Sequence, residues 1–178
     1  MTTLSCLEVL QKIQNSETFS GVLTDNSITI TIEEYVPFIC TAIHAGGNFR
    51  SDLRNNLLLT KHERWYDEHP FTGQFISSLP IHIIAHDSRY EYDLNRSPES
   101  SIHETIEQKP LWKEPLSQSQ CELSQSKHQE FYTIITALVQ KLERQFGGCI
   151  IYDIQAYNFK KRAETNLPLF TVSTTQIT

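Results

Sequence analysis

Three short apolar runs do most to limit what this chain can fold into. Residues 36–43 (Val-Pro-Phe-Ile-Cys-Thr-Ala-Ile), 81–85 (Ile-His-Ile-Ile-Ala) and 149–152 (Cys-Ile-Ile-Tyr) are almost continuously apolar, and each gives way abruptly to polar or glycine-rich sequence. Runs of four to eight such residues are too short for core helices and read as strands buried on both faces. Strands of that kind need helices to cover them, so the expected fold class is α/β, a mixed, largely parallel sheet flanked by helices. The helical signals agree. Leu4, Leu7, Val9, Leu10 and Ile13 suggest an opening helix, and residues 53–65 a second. Phe131, Ile134, Ile135, Leu138, Val139, Leu142 and Phe146 recur at the three-and-four spacing of one helical face, with Gly147-Gly148 as the stop. Residues 21–33 read as two strands hinged at Asp25-Asn26. Residues 97–127, rich in Ser, Gln, Glu and Pro, are expected to form a long exposed loop anchored by Leu111-Trp112.

A chain of 178 residues with 39% apolar content can build one core, so residues 1–178 are read as a single domain. The formal charge of -6 and the scattered basic residues leave no electrostatic footprint for nucleic acid or an anionic membrane. No stretch approaches the roughly 20 apolar residues of a membrane span, and the N-terminus has no basic region leading into an apolar one, so a cytoplasmic location is expected. Cys6, Cys40, Cys121 and Cys149 are too dispersed for a zinc ribbon or a redox pair.

The chemistry-bearing residues follow the strands. Ligands of open α/β sheets bind at the carboxyl ends of strands. Three such ends carry His44-Ala45-Gly46-Gly47, the segment from Ser88 to Arg96 (Ser-Arg-Tyr-Glu-Tyr-Asp-Leu-Asn-Arg), and Asp153-Ile154-Gln155-Ala156-Tyr157-Asn158. These ends are expected to line one cleft. His44 suits either a metal ligand or a capping or core histidine. The planar forks of Arg89 and Arg96 suit a carboxylate, although Glu91 and Asp93 are close enough in sequence to pair with them instead.

Together with Asp67-Glu68-His69-Pro70-Phe71-Thr72-Gly73, these segments resemble the N-formylglutamate amidohydrolase family, whose Glu-x-Pro-x-Thr-Gly stretch the last one is similar to. The resemblance runs from about residue 36 to residue 158. It implies a phosphorylase/hydrolase-like, zinc carboxypeptidase-like architecture and metal-assisted hydrolysis of an acyl-amide on an acidic amino acid. It further implies zinc ligands at His44, at Glu68 (with Asp67 and Glu63 as rivals) and at position 155. The substrate, a small N-acyl amino-acid carboxylate, would be bound by Arg89, Asn95, Arg96, Tyr157 and Asn158. The tetrapeptide Asp93-Leu94-Asn95-Arg96 carries the likeness most specifically.

One position departs from the pattern. Where the family reads Asp-x-His-Ser, this chain has Asp153-Ile154-Gln155-Ala156. A glutamine amide oxygen is a poor zinc donor, so zinc is expected to be weak or lost unless Asp153, two residues earlier on the same strand face, steps in. The C-terminal part of the family domain, where a general base is expected, is read as missing, and no catalytic residue is assigned. Two functions remain open: an N-formylglutamate amidohydrolase-like enzyme, and a non-catalytic carboxylate-binding or regulatory module that has lost the metal.

Overall fold

The computed structural model describes residues 1–65, 67–106 and 108–156. In chain order these form β1 (Thr2–Leu4), α1 (Cys6–Gln14), β2 (Phe19–Leu23), β3 (Ile28–Ile32), β4 (Phe38–Ala42), α2 (Ser51–Arg54), α3 (Lys61–Trp65), α4 (Thr72–Ile76), β5 (Ile81–Ala85), β6 (Thr105–Ile106), β7 (Lys109–Pro110), α5 (Gln118–Phe146) and β8 (Ile150–Asp153). Six strands make one sheet in the order β1-β2-β3-β5-β4-β8, while β6 and β7 pair separately. The pairings β1–β2, β4–β5 and β4–β8 are parallel, and β2–β3 and β3–β5 antiparallel, which makes the fold a mixed α/β sheet.

Local chemistry explains the elements. Ser5 caps α1 in a reciprocal box with Glu8. The β2–β3 hairpin turns where Asp25 Oδ1 accepts from the Ser27 backbone N–H at 3.0 Å and Asn26 adopts φ 58°. In β3 the alternation Ile-Thr-Ile-Thr-Ile sends Ile28, Ile30 and Ile32 to the core beneath α1 and α5, where they meet Val9, Ile13, Phe131, Ile134, Leu138 and Leu142. The opposite sheet face is covered by α4, with Ile76 against Cys40 and Ala42. The result is helix, sheet, helix in three layers, as the apolar runs require.

Several expectations change. Residues 53–65 are not one helix: the backbone N–H of Leu58 bonds to the Leu111 carbonyl at 2.9 Å, Leu57 bridges Trp112, and Thr60 restarts the chain as α3 in a cap with Glu63. The segment 97–127 is not loop throughout, because α5 already begins at Gln118 with the reciprocal cap Ser117–Gln120. Leu111 and Trp112 do anchor it, buried in a cluster with Phe49, Leu53 and Tyr90. Among the described residues the strand expected to be buried at 149–152 lies at the sheet edge, with Ile150 and Tyr152 half exposed. No helix among the described residues is long and apolar enough to cross a membrane.

Candidate functional site

Because β5, β4 and β8 are adjacent and parallel, their carboxyl ends share one sheet edge. His44 leaves β4 two residues past its end and is 1% exposed. The chain then crosses the end of β5 so closely that a Cβ at Gly46 would lie 2.0 Å from the His86 carbonyl carbon, and only glycine fits there. Hydrogen bonds fix the crossing: Asn48 N–H to the His86 carbonyl at 3.0 Å and Ser88 N–H to the Asn48 carbonyl at 2.8 Å. This brings the loop after β5 against the loop after β4.

Asp93 is the junction of the two loops. Fully buried, it accepts from His44 Nε2 at 2.8 Å and the Asn95 backbone N–H at 2.9 Å through Oδ1, and from Arg89 at 2.7 Å and His103 at 3.3 Å through Oδ2. Burial works to raise its pKa, yet the hydrogen bonds from His103 and His44 and the Arg89 charge outweigh it and hold the carboxyl far below the usual range. Ionised Asp93 can only accept, so His44 Nε2 carries the proton of this bond. The His44 Nδ1 is buried and has no hydrogen-bond partner among the described residues.

Glu68 is buried as well, with Oε1 held by Ser88 Oγ at 2.5 Å and by the Arg64 guanidinium, and with Oε2 2.9 Å from where a Gly47 Cβ would stand. Its neighbour His69 was given no role by the sequence reading. The His69 ring lies 5.5 Å from that of His44, centre to centre, at 71°. Burial, followed by the nearby His44 and Arg89, lowers its pKa to about 4. The only sequence signal was its place inside the Glu-x-Pro stretch, and no spacing rule links residue 69 to residue 44.

Of the expected anion-binding residues, Arg89 is spent on Asp93 as an internal ion pair. Arg96 is different: its side chain is 53% exposed, with Nε 3.8 Å from Asp93 Oδ2. With Asn95, Ser97, Pro98, His128, Gln129 and Tyr132 it lines a pocket of about 370 Å³. That pocket is built by α5 closing on the loop, through His128 Nε2 to the Arg96 carbonyl at 2.9 Å and the Tyr132 hydroxyl to the Leu94 carbonyl. Tyr157 and Asn158 lie outside the described residues.

The sequence profile of the N-formylglutamate amidohydrolase family matches residues 36–177. The chain belongs to this family. A solved N-formylglutamate amidohydrolase from Ralstonia eutropha JMP134 shares the fold, with a TM-score of 0.61 at 14% identity over 70% of this chain and 55% of that one. The chain therefore spans little more than half the length of that protein. No curated protein sequence gives a significant match.

The family resemblance raises the question of zinc. His44 has a suitable ring, with Nδ1 buried and Nε2 oriented by a carboxylate. Glu68 has one oxygen already bound by Arg64 and Ser88. Gln155 is exposed and gives its amide N–H to Asp153 Oδ2 at 2.5 Å, and Asp153 in turn accepts from Thr41 Oγ1 at 2.7 Å. Among the described residues no three His, Cys, Asp or Glu side chains converge as a metal site. The trio His44, Glu68 and Gln155 does not fit a three-ligand zinc centre.

Proposed function

We propose that this chain is an N-formylglutamate amidohydrolase-like domain that recognises the carboxylate of a small N-acyl acidic amino acid and does not by itself complete its hydrolysis. The observation that carries the reading is the pocket at Asn95-Arg96. An exposed guanidinium stands at the wall of a cavity of about 370 Å³, the size class of small-molecule sites. A carboxylate bound there would meet two parallel N–H donors of Arg96, a stronger pairing than the 3.8 Å approach to Asp93. Asp93, held by Arg89 and His103, orients the loop that presents Asn95 and Arg96 and at the same time fixes the His44 ring. The zinc carboxypeptidase-like and aspartoacylase-like kinship, with metal-assisted cleavage of an acyl-amide, belongs to the same reading as the ancestral chemistry. Gln155, a neutral amide in place of an imidazole, is why turnover is not assigned to residues 1–178.

A second reading, retained hydrolysis, is favoured by the buried Nδ1 of His44, which no described residue satisfies. One experiment separates them. Calorimetric titration with glutamate and N-formylglutamate should show binding that Arg96→Ala abolishes with little change in melting temperature, since an exposed arginine contributes at most about 1 kcal/mol. Parallel assays with added zinc should release no formate. His44-dependent formate release would establish the second reading, and loss of stability in Arg96→Ala without any ligand effect would refute carboxylate binding at Arg96.

A further inference from the structure

The N-terminal half of α5 buries polar residues, Ser124 and His128, and the partners of this face show what it does. Leu94 is held in the core, 2% exposed, whereas the next two residues, Asn95 and Arg96, are exposed and line the pocket. Two bonds bend the chain there. The Arg96 backbone N–H donates to the Asp93 carbonyl at 3.1 Å, and the Asn95 N–H donates to Asp93 Oδ1 at 2.9 Å. The carbonyls of this turn are taken by α5: the Tyr132 hydroxyl donates to the Leu94 carbonyl, and His128 Nε2 donates to the Arg96 carbonyl at 2.9 Å. Neither carbonyl accepts another hydrogen bond from the described residues. Positions 128 and 132 are one turn apart on the same helix face, so a single rigid element grips the backbone on both sides of Asn95.

We propose that His128 and Tyr132 are positioning residues for carboxylate recognition: by holding the Leu94 and Arg96 carbonyls, they fix the turn in the geometry that brings Asn95 and Arg96 to one pocket. The inference rests on the reading of that pocket as a carboxylate site and adds the residues that set its geometry. A guanidinium binds a carboxylate tightly only when its two parallel donors line up, and a backbone held in place beforehand removes part of the ordering cost of binding. Packing alone does not account for the two residues. His128 is 1% exposed and stands where an apolar side chain would extend the stripe that begins at Phe131. The Tyr132 ring is 38% exposed, and its hydroxyl is spent on the Leu94 carbonyl rather than left to water. Burial, with the Asp153 and Asp93 charges adding to it, raises the Tyr132 pKa, so the phenol stays protonated as a donor.

The test titrates the full chain with N-formylglutamate and with glutamate, by calorimetry and by NMR of the Asn95 side-chain amide and the Arg96 Nε–H. Tyr132→Phe keeps the ring and removes one hydrogen bond, so affinity should fall about three- to tenfold, the worth of one such bond. The two NMR signals should shift and broaden in that variant before any ligand is added. His128→Met should weaken binding by a similar factor. His128→Gln, whose amide N–H can stand where Nε2–H stood, should restore most of the loss, which a space-filling role would not. Thr136→Ala, one turn beyond Tyr132 and outside this pocket, should leave affinity unchanged. If His128→Met does not fold, as judged by circular dichroism, Tyr132→Phe decides, since its ring is partly exposed and only the hydroxyl is removed. Unmodified affinity in folded Tyr132→Phe overturns the proposal, as do equal losses in His128→Met and His128→Gln. These outcomes leave the carboxylate site standing. Absence of any titration in the unmodified chain overturns the site itself, and the positioning role with it.

Discussion

Asp93 has no exposed surface, yet two histidines, one arginine and a backbone N–H converge on its two oxygens. A buried carboxylate is tolerated only with such partners, because losing its hydration costs several kcal/mol. That requirement explains why Arg89 is unavailable to a substrate while Arg96, seven residues further on, 53% exposed and only 3.8 Å from Asp93 Oδ2, can meet one. The same logic of partner and burial sets a pH response at His86. Its Nε2 lies 2.6 Å from Thr29 Oγ1, an arrangement in which the neutral ring accepts the hydroxyl proton. Burial lowers the His86 pKa, with Asp87 opposing in part. The folded state thus protonates later than the unfolded chain as pH falls. The stabilisation is complete above the unfolded value of about 6.5 and is lost as pH drops through the lower folded value. Melting temperatures followed from about pH 8 to pH 5 should fall below pH 6.5, and less steeply in His86→Gln. Superimposable profiles for the two proteins would remove His86 from the account.

At the scale of elements, α5 shows how a helix can be half legible. Its C-terminal half carries the apolar stripe from Phe131 to Leu142 and ends at Gly147 with φ 82°, as the sequence pattern predicts. Its N-terminal half is polar and reads as loop, because its buried face is Ser124 and His128, not leucine or isoleucine. Those residues serve the site loops: Arg50 donates to Ser124 Oγ at 3.1 Å, and His128 donates to the Arg96 carbonyl. The reciprocal pair Ser117–Gln120 marks the start, inside the stretch that the sequence pattern reads as loop. Ser117→Ala should cost about 1 kcal/mol of stability, the usual value of such a cap, measured by urea denaturation. No change in midpoint would mean that packing alone holds this end. Residues 53–65 erred the other way, since a helical pattern lost to pairing of residues 57–58 with 111–112.

For the molecule as a whole, a charged cluster ties α5, the β2–β3 turn and the site loop together. Lys127 Nζ lies 2.8 Å from Asp87, 3.5 Å from Asp25 and 3.7 Å from Glu91, while Glu91 also accepts the Arg50 backbone N–H at 2.9 Å. Burial tends to lower the Lys127 pKa, but the Asp87 hydrogen bond and the surrounding carboxylates raise it overall, so the ammonium persists. Removing one partner from such a cluster leaves buried acids uncompensated. Lys127→Met should therefore destabilise the fold by about 3–5 kcal/mol, read as a lowered denaturation midpoint. A loss below about 1 kcal/mol would show that solvent screens the cluster.

The sequence by itself determined three strands of the sheet: apolar runs at 36–43, 81–85 and 149–152 became β4, β5 and β8, whose carboxyl ends lead to His44, the 88–96 loop and Gln155, whereas Leu4, read into the opening helix, lies in β1. Such features are legible because burial and strand periodicity act over a few neighbouring residues. What only tertiary structure decided is which polar groups meet. Arg89 rather than Arg96 satisfies Asp93, Gln155 turns to Asp153, and His69 arrives beside His44 through a loop that no local pattern encodes. Those pairings depend on which buried atoms still lack a partner once the backbone is closed, and that is settled across the whole fold.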